Sequence, residues 1–187
     1  EHLRSRDSST DTHAIIFYHS STRRSVRERA FWTMSSDHPI NAEFLSGERI
    51  YLRAVEDEDV ALLHVWANDP ETRGQTGETR PSTYAAAVEY YQRIQRDESR
   101  VWQAVVLRET HQVIGETGLL RMFPAWRTTD WSLIIGDKSA RGKGYGTEAA
   151  GLILDYAFGY QNMHRVSIGV VGFNTEAMKF YERLGFQ

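Results

Sequence analysis

The chain has 187 residues, 41% of them apolar and 25% charged, which suits one domain with a real core. A net charge of −3 gives no global attraction for nucleic acid, the absence of cysteine excludes disulfides and thiolate catalysis, and no apolar run approaches the length that spans a bilayer, which makes the cytoplasm the default location. Seven histidines without a ligand spacing such as His-Glu-x-x-His give no support for a metal site.

From the start, Leu3 to Asp7, the polar turn Ser8-Ser9-Thr10-Asp11 and Ala14 to Tyr18 read as a hairpin, and Arg23, Arg24, Arg27 and Arg29 form a basic cluster in a solvated linker. Arg49 to Ala54 alternates as a strand. Asp57 to Asn68 carries Val60, Leu63 and Trp66 at helical spacing until Asp69-Pro70 stops it. Arg73 to Arg80 reads as a loop and Ser82 to Arg96 as a second helix. Val101 to Leu107 and Gln112 to Leu120 are strands joined by a turn at Arg108 to His111, Thr129 to Ile135 is a further strand, and Thr147 to Phe158 is helical. Between these last two lies Arg141-Gly142-Lys143-Gly144-Tyr145-Gly146. Glycine at every second position lets the backbone approach an anion closely, and the unpaired amides of the following helix then point at it, an arrangement suited to a pyrophosphate. Thr147 stands where a dinucleotide fingerprint needs its third glycine, and Lys143 is followed by Gly144 rather than Ser or Thr, so neither a Rossmann nor a Walker motif is present. Val166 to Val171 is the next strand, and Asn174 to Leu184 is a helix with Asn174 as N-cap and Gly185 as its stop.

The two segments together resemble the GNAT N-acetyltransferase superfamily: Arg141, Gly144 and Gly146 match its Arg/Gln-x-x-Gly-x-Gly/Ala loop, and Asn174, Ala177 and Tyr181 match Asn-x-x-Ala-x-x-x-Tyr on its last helix. Gly136-Asp137-Lys138 before the loop and Gly144-Tyr145-Gly146-Thr147-Glu148-Ala149 within it resemble the RimJ/RimL branch. The resemblance implies an α/β fold whose mixed central sheet splits between the fourth and fifth strands and is flanked by helices. It implies acetyl transfer from acetyl-CoA to a primary amine, a protein N-terminus or a small molecule, by direct transfer in a ternary complex. The backbone of Leu133, Ile134, Ile135 and Gly136 is expected to pair with pantetheine, Arg141 to Thr147 to take the pyrophosphate, and Asn174 and Tyr181 to complete the coenzyme site.

Acyl transfer needs a neutral amine, a donor for the oxyanion and a proton for the departing thiolate. By resemblance Tyr181 is the acid. The glutamate that some members carry five residues before the asparagine is Gly169 here, so Asp130 and Glu116 stand as candidate bases beside a water chain, each with an alternative role as a carboxylate paired to arginine. A coenzyme-binding sensor or assembly module without turnover is the alternative function. Residues 47–187 read as the domain and 20–46 as a linker. In the family two more strands follow the last helix, and residues 1–19 resemble them: the hairpin completes the sheet as in a permuted chain or by strand exchange in a homodimer, or it is a disordered extension.

Overall fold

The computed structural model describes residues 13–19 and 42–187. Among the described residues seven strands form one sheet: β1 (His13–His19), β2 (Leu45–Ser46), β3 (Ile50–Ala54), β4 (Val101–Leu107), β5 (Val113–Phe123), β6 (Thr128–Ile134) and β7 (Arg165–Val171), in the spatial order β1-β7-β6-β5-β4-β3-β2. Neighbours from β2 to β6 run antiparallel, whereas β6 and β7 are parallel and pair only over Thr128–Asp130 and Arg165–Ser167. Past that short ladder the two strands part, and the sheet is split. The far edge of β7 is paired antiparallel with β1, from His13 opposite Val171 to His19 opposite Arg165.

Strand alternation sends side chains to two separate cores. On one face Ile50, Leu52, Leu119, Trp131, Val166 and Ile168 pack under α4 (Tyr145–Asp155) and α5 (Thr175–Arg183). On the other, Tyr51, Ala104 and Val106 meet Val60 and Leu63 of α1 (Val60–Asn68) and Ala87, Tyr91 and Ile94 of α3 (Tyr84–Gln95). The buried Arg53 anchors α1 by a two-pronged ion pair to Asp59 (2.6 and 2.9 Å), the residue that precedes the helix.

The loop expected from Arg73 to Arg80 is corrected in its first half, where α2 (Pro70–Thr76) forms. Asp69-Pro70 ends α1 and starts α2 in one stroke. Asp69 Oδ1 accepts from the amides of Glu71 and Thr72 at 3.1 Å each, Pro70 fits the first helical turn, and Gly77 closes the helix in the left-handed region at φ 75°. The strand expected over Gln112 to Leu120, β5, runs on to Phe123, and α4 begins at Tyr145, two residues earlier than its periodicity predicts, before widening into a π turn at Tyr156–Tyr160. Leu45–Ser46 is a short strand within the stretch read as linker. Ala14 to Tyr18 lies inside β1, while Leu3 to Asp7, the Ser8 to Asp11 turn and the arginine cluster at 23–29 lie outside the described residues.

Candidate active site

Where β6 and β7 diverge, a cavity of about 580 Å³ opens through the sheet, within the range of small-molecule sites. One wall is β6 from Trp131 to Ile135, the other is β7 from Ile168 to Val171, and α5 contributes Asn174, Ala177 and Tyr181. At the C-terminal end of β6 the chain makes a 3₁₀ turn, Lys138–Ala140, and enters the glycine loop. Gly142 and Gly144 take φ 72° and 85°, a region that glycine enters without steric cost. Gly144 caps α4 with no side chain on its first-turn amides, so these donors stay free for an anion at the positive end of the helix. A Cβ on Gly146 would meet only ordinary contacts, 3.6 Å from Leu133 and 3.7 Å from Phe180. The fold itself does not demand glycine there, and the bare position leaves room at the cavity wall for a ligand.

Two supports of this loop are invisible in the local sequence. Arg49 at the entry to β3 donates to the Lys143 carbonyl (2.9 Å), pairs with Glu148 (3.0 Å) and lies over the Tyr145 ring at 4.9 Å. Glu148 also accepts from the amides of Arg49 and Ile50 at 2.7 and 3.2 Å; burial works against its charge, but these bonds hold its carboxyl below the usual range. The second support is α2, whose Thr72, Gln75 and Thr76 line the cavity. Arg141, singled out for the pyrophosphate, spends its guanidinium on the Ile135 carbonyl (2.8 Å), Glu71 (2.5 Å) and Thr72. Lys138 adds bonds to Asp69 and Glu71 at 3.1 and 3.0 Å. From the β7 side, Asn174 caps α5 through the Ala177 amide (3.1 Å) and donates to the Gln75 carbonyl (2.9 Å). Thus α2 bridges the cleft.

Tyr181 projects into the cavity from the α5 side, 6% exposed and set edge-on to Trp131 at 5.5 Å. Burial pushes its phenol well above the ordinary range, which keeps the proton on it near neutral pH. Of the coenzyme residues expected from the sequence, Leu133, Ile134, Ile135, Arg141, Gly142, Gly144, Gly146, Thr147, Asn174 and Tyr181 line the cavity, while Gly136 lies against the Trp66 ring, and Lys143 within the loop and Tyr145 at the start of α4 are not among the lining residues. The two candidate bases are not among the lining residues. Asp130, at the last paired rung of β6, is ion-paired with Arg121. Glu116 is buried, and its Oε2 accepts from the Tyr91 hydroxyl (2.9 Å) and the Trp102 indole N–H (2.6 Å). Burial raises the Glu116 pKa, and those two donors offset part of the rise. Among the described residues no cluster of His, Cys, Asp and Glu is arranged to hold a metal ion, and no helix is long and apolar enough to cross a membrane.

Residues 49–187 match the family model described as acetyltransferase (GNAT) domain. The chain is 28% identical over 150 residues to a probable N-acetyltransferase, YjcK, of Bacillus subtilis, covering 76% of this chain and 82% of that protein. It is 30% identical over 149 residues to the uncharacterized N-acetyltransferase p20 of Bacillus licheniformis, covering 78% and 83%, and 26% identical over 141 residues to the spermidine N(1)-acetyltransferase of Escherichia coli, covering 75% and 74%. Among solved structures, the spermidine N-acetyltransferase of Vibrio cholerae in complex with CoA and spermine superposes with a TM-score of 0.67 at 24% identity, over 73% of this chain and 80% of that one.

Proposed function

The chain belongs to the GNAT acetyltransferase family and is an N-acetyltransferase, and from that premise we propose that the β6/β7 cleft joins acetyl-CoA to a primary amine by direct transfer. The observation that carries this reading is the pairing of a glycine loop whose helix amides are uncapped with a buried, protonated Tyr181 in one cavity. Acetyl-CoA fits the donors present: the amides of Gly144 to Thr147 suit its pyrophosphate, and from Leu133 to Gly136 the side of the chain that faces β7, past the end of the β6–β7 ladder at Asp130, offers backbone bonds to its pantetheine. The thioester supplies an activated acetyl group. The amine nitrogen bonds to the acetyl carbon as the carbon–sulfur bond breaks, Tyr181 gives its proton to the departing sulfur, and the proton lost by nitrogen leaves on the opposite face of the sheet. Asp130 is the carboxylate proposed to take it, directly or through water, because it stands one rung from the start of the cleft. Glu116, engaged with Tyr91 and Trp102, is the alternative base.

The relatives named spermidine N-acetyltransferases favour a small aliphatic amine as acceptor, ahead of a protein N-terminus. The wording around the glycine loop supports placement in the RimJ/RimL branch, and dependence on acetyl-CoA supports work in the cytoplasm. Thiol release followed across polyamines, alkyl amines and peptides with free N-termini tests the activity. Calorimetry of Gly144→Val tests the coenzyme site: a bulky residue at φ 85° is expected to weaken acetyl-CoA at least tenfold, and unchanged affinity in a folded variant overturns the assignment.

A further inference from the structure

The cleft narrows in one direction. β6 and β7 pair as far as Asp130 and Ser167 and part beyond them, so the sheet itself closes the end nearest that pair, while the other end opens at the glycine loop. Alternate residues of a strand share a face, and those of β6 that pack toward α4 and α5 follow one another inward as Ile135, Leu133 and Trp131. Ile135 and Leu133 lie beneath the start of α4, at 3.8 and 3.6 Å from where a Cβ on Gly146 would stand. Trp131 is the innermost of the three. The parallel register sets it opposite Ile168, one rung past the last ladder pair, and both side chains line the cavity although they are only 2% and 3% exposed.

The indole at this closed end is held by three partners. Its N–H donates to the Thr117 hydroxyl at 2.9 Å, and that hydroxyl donates in turn to the Ser132 carbonyl at 2.8 Å. Phe186 stacks on the ring at 5.7 Å with the two planes 25° apart, and Tyr181 meets it edge-on at 5.5 Å. Thr117 and Phe186 are themselves buried, so the ring is backed by core. A group that presses on it must displace close-packed side chains, and such an interior resists even one added methylene. Which part of the coenzyme arrives there follows from the order of its parts. With the pyrophosphate on the amides of Gly144 to Thr147 and the pantetheine along Leu133 to Gly136, the thioester lies farther in, beside Tyr181, and the acyl chain is directed at the closed end. An acetyl group ends in a single methyl. Propionyl and butyryl groups carry one and two more carbons toward the indole.

Resting on the acetyl transfer proposed above, we propose that Trp131, backed by Thr117 and Phe186 and faced by Ile168, is the end wall of the acyl subsite and the residue that restricts the transferred group to acetyl. The bond changes are the same for every acyl-CoA: the amine nitrogen bonds to the acyl carbon, the carbon–sulfur bond breaks, and the phenol proton goes to sulfur. The wall therefore discriminates by fit and not by chemistry. An added methylene against an apolar wall is worth about 10-fold or more in kcat/KM.

The test measures thiol release from acetyl-CoA, propionyl-CoA and butyryl-CoA, with spermidine and with butylamine as acceptors, in the unaltered chain and in Trp131→Leu, Trp131→Phe and Ile168→Val. Leu opens the end of the cavity widely, Phe keeps a ring there, and Ile168→Val trims one carbon from the facing side at a small cost to folding. Calorimetry with CoA, which has no acyl group to meet the wall, checks that each variant is folded and holds the coenzyme. The unaltered chain is expected to prefer acetyl-CoA to propionyl-CoA by about 10-fold or more and to butyryl-CoA by about 100-fold or more. In Trp131→Leu the butyryl-to-acetyl ratio of kcat/KM is expected to rise at least tenfold, and in the two milder variants the propionyl-to-acetyl ratio is expected to rise about threefold or more. Because Trp131 also steadies the Tyr181 ring, a merely structural role would slow all three donors alike and leave the ratios unchanged. That outcome, or equal use of the three donors by the unaltered chain, overturns the wall. Absence of thiol release from every donor counts against the acetyl-transfer reading instead, and equilibrium binding then decides the wall: butyryl-CoA is expected to bind the unaltered chain at least tenfold more weakly than acetyl-CoA, with the gap narrowed in Trp131→Leu, and equal affinities overturn it.

Discussion

At the scale of single residues, Tyr181 is the group proposed to give a proton to the departing sulfur. Burial holds that proton in place. Tyr181→Phe keeps the ring against Trp131 and Phe186 but removes the hydroxyl, so single-turnover acetyl transfer is expected to slow by about 100-fold while coenzyme affinity is unchanged. Because burial raises this phenol above its usual value near 10, the rate should climb with pH as the amine loses its proton and should not fall from Tyr181 ionisation anywhere below about pH 10. Asp130→Asn measured over the same series is expected to lose rate at neutral pH and recover part of it at high pH, where the amine needs no base. Retained full turnover in Tyr181→Phe makes the phenol a packing residue. The glycine loop and the Asn174 to Tyr181 spacing were legible in the sequence because each is a local pattern whose geometry depends on neighbours a few residues away. Arg49 was not, since its partners Lys143 and Glu148 lie in another part of the chain and nothing near Arg49 marks it.

At the scale of elements, two helices are set by single aspartates. Asp59 holds the buried Arg53 and also accepts from the Glu56 amide at 2.8 Å, so one carboxylate fixes both the strand-to-helix corner and the charge inside it. Removing one partner strands the other, and Asp59→Ala is expected to cost about 3 to 5 kcal/mol in urea unfolding, with Asp59→Asn losing less because it can still bond. A loss under about 1 kcal/mol contradicts that account. Asp69 does the same for α2, and here sequence reasoning went astray for a physical reason: Asp followed by Pro is equally a stop for the preceding helix and a cap for a new one. A loop over Arg73 to Arg80 also hides that Gln75 and Thr76 form part of the cavity wall. The strands fared better, since period-two alternation survives a shift of one residue at either end.

At the scale of the whole molecule, the pairing of β1 with β7 gives the sheet its outer border. We propose that residues 1–19 complete the sheet, within one chain or by exchange between two copies. Deleting them is expected to bare the edge of β7 and to lower the melting temperature or cause aggregation, and sedimentation of the intact chain separates one copy from two. An unchanged melting temperature and solubility after deletion would falsify this. The family's sheet was legible from the order of strands, whereas the short β-rich run from Ala14 to Tyr18 supports completion of the sheet and a disordered extension equally when read as sequence alone. The same pairing bears on how the chain reaches its final state. Ile15 meets Gly169 across about 150 residues of intervening chain, a contact whose loop must close before it returns any energy. Local hairpins such as β4–β5 can form early, but this ladder belongs to the slow, late part of folding. The cleft wall that carries Ile168 to Val171 then gains its outer neighbour last, which makes catalytic competence a late reporter of refolding after dilution from denaturant.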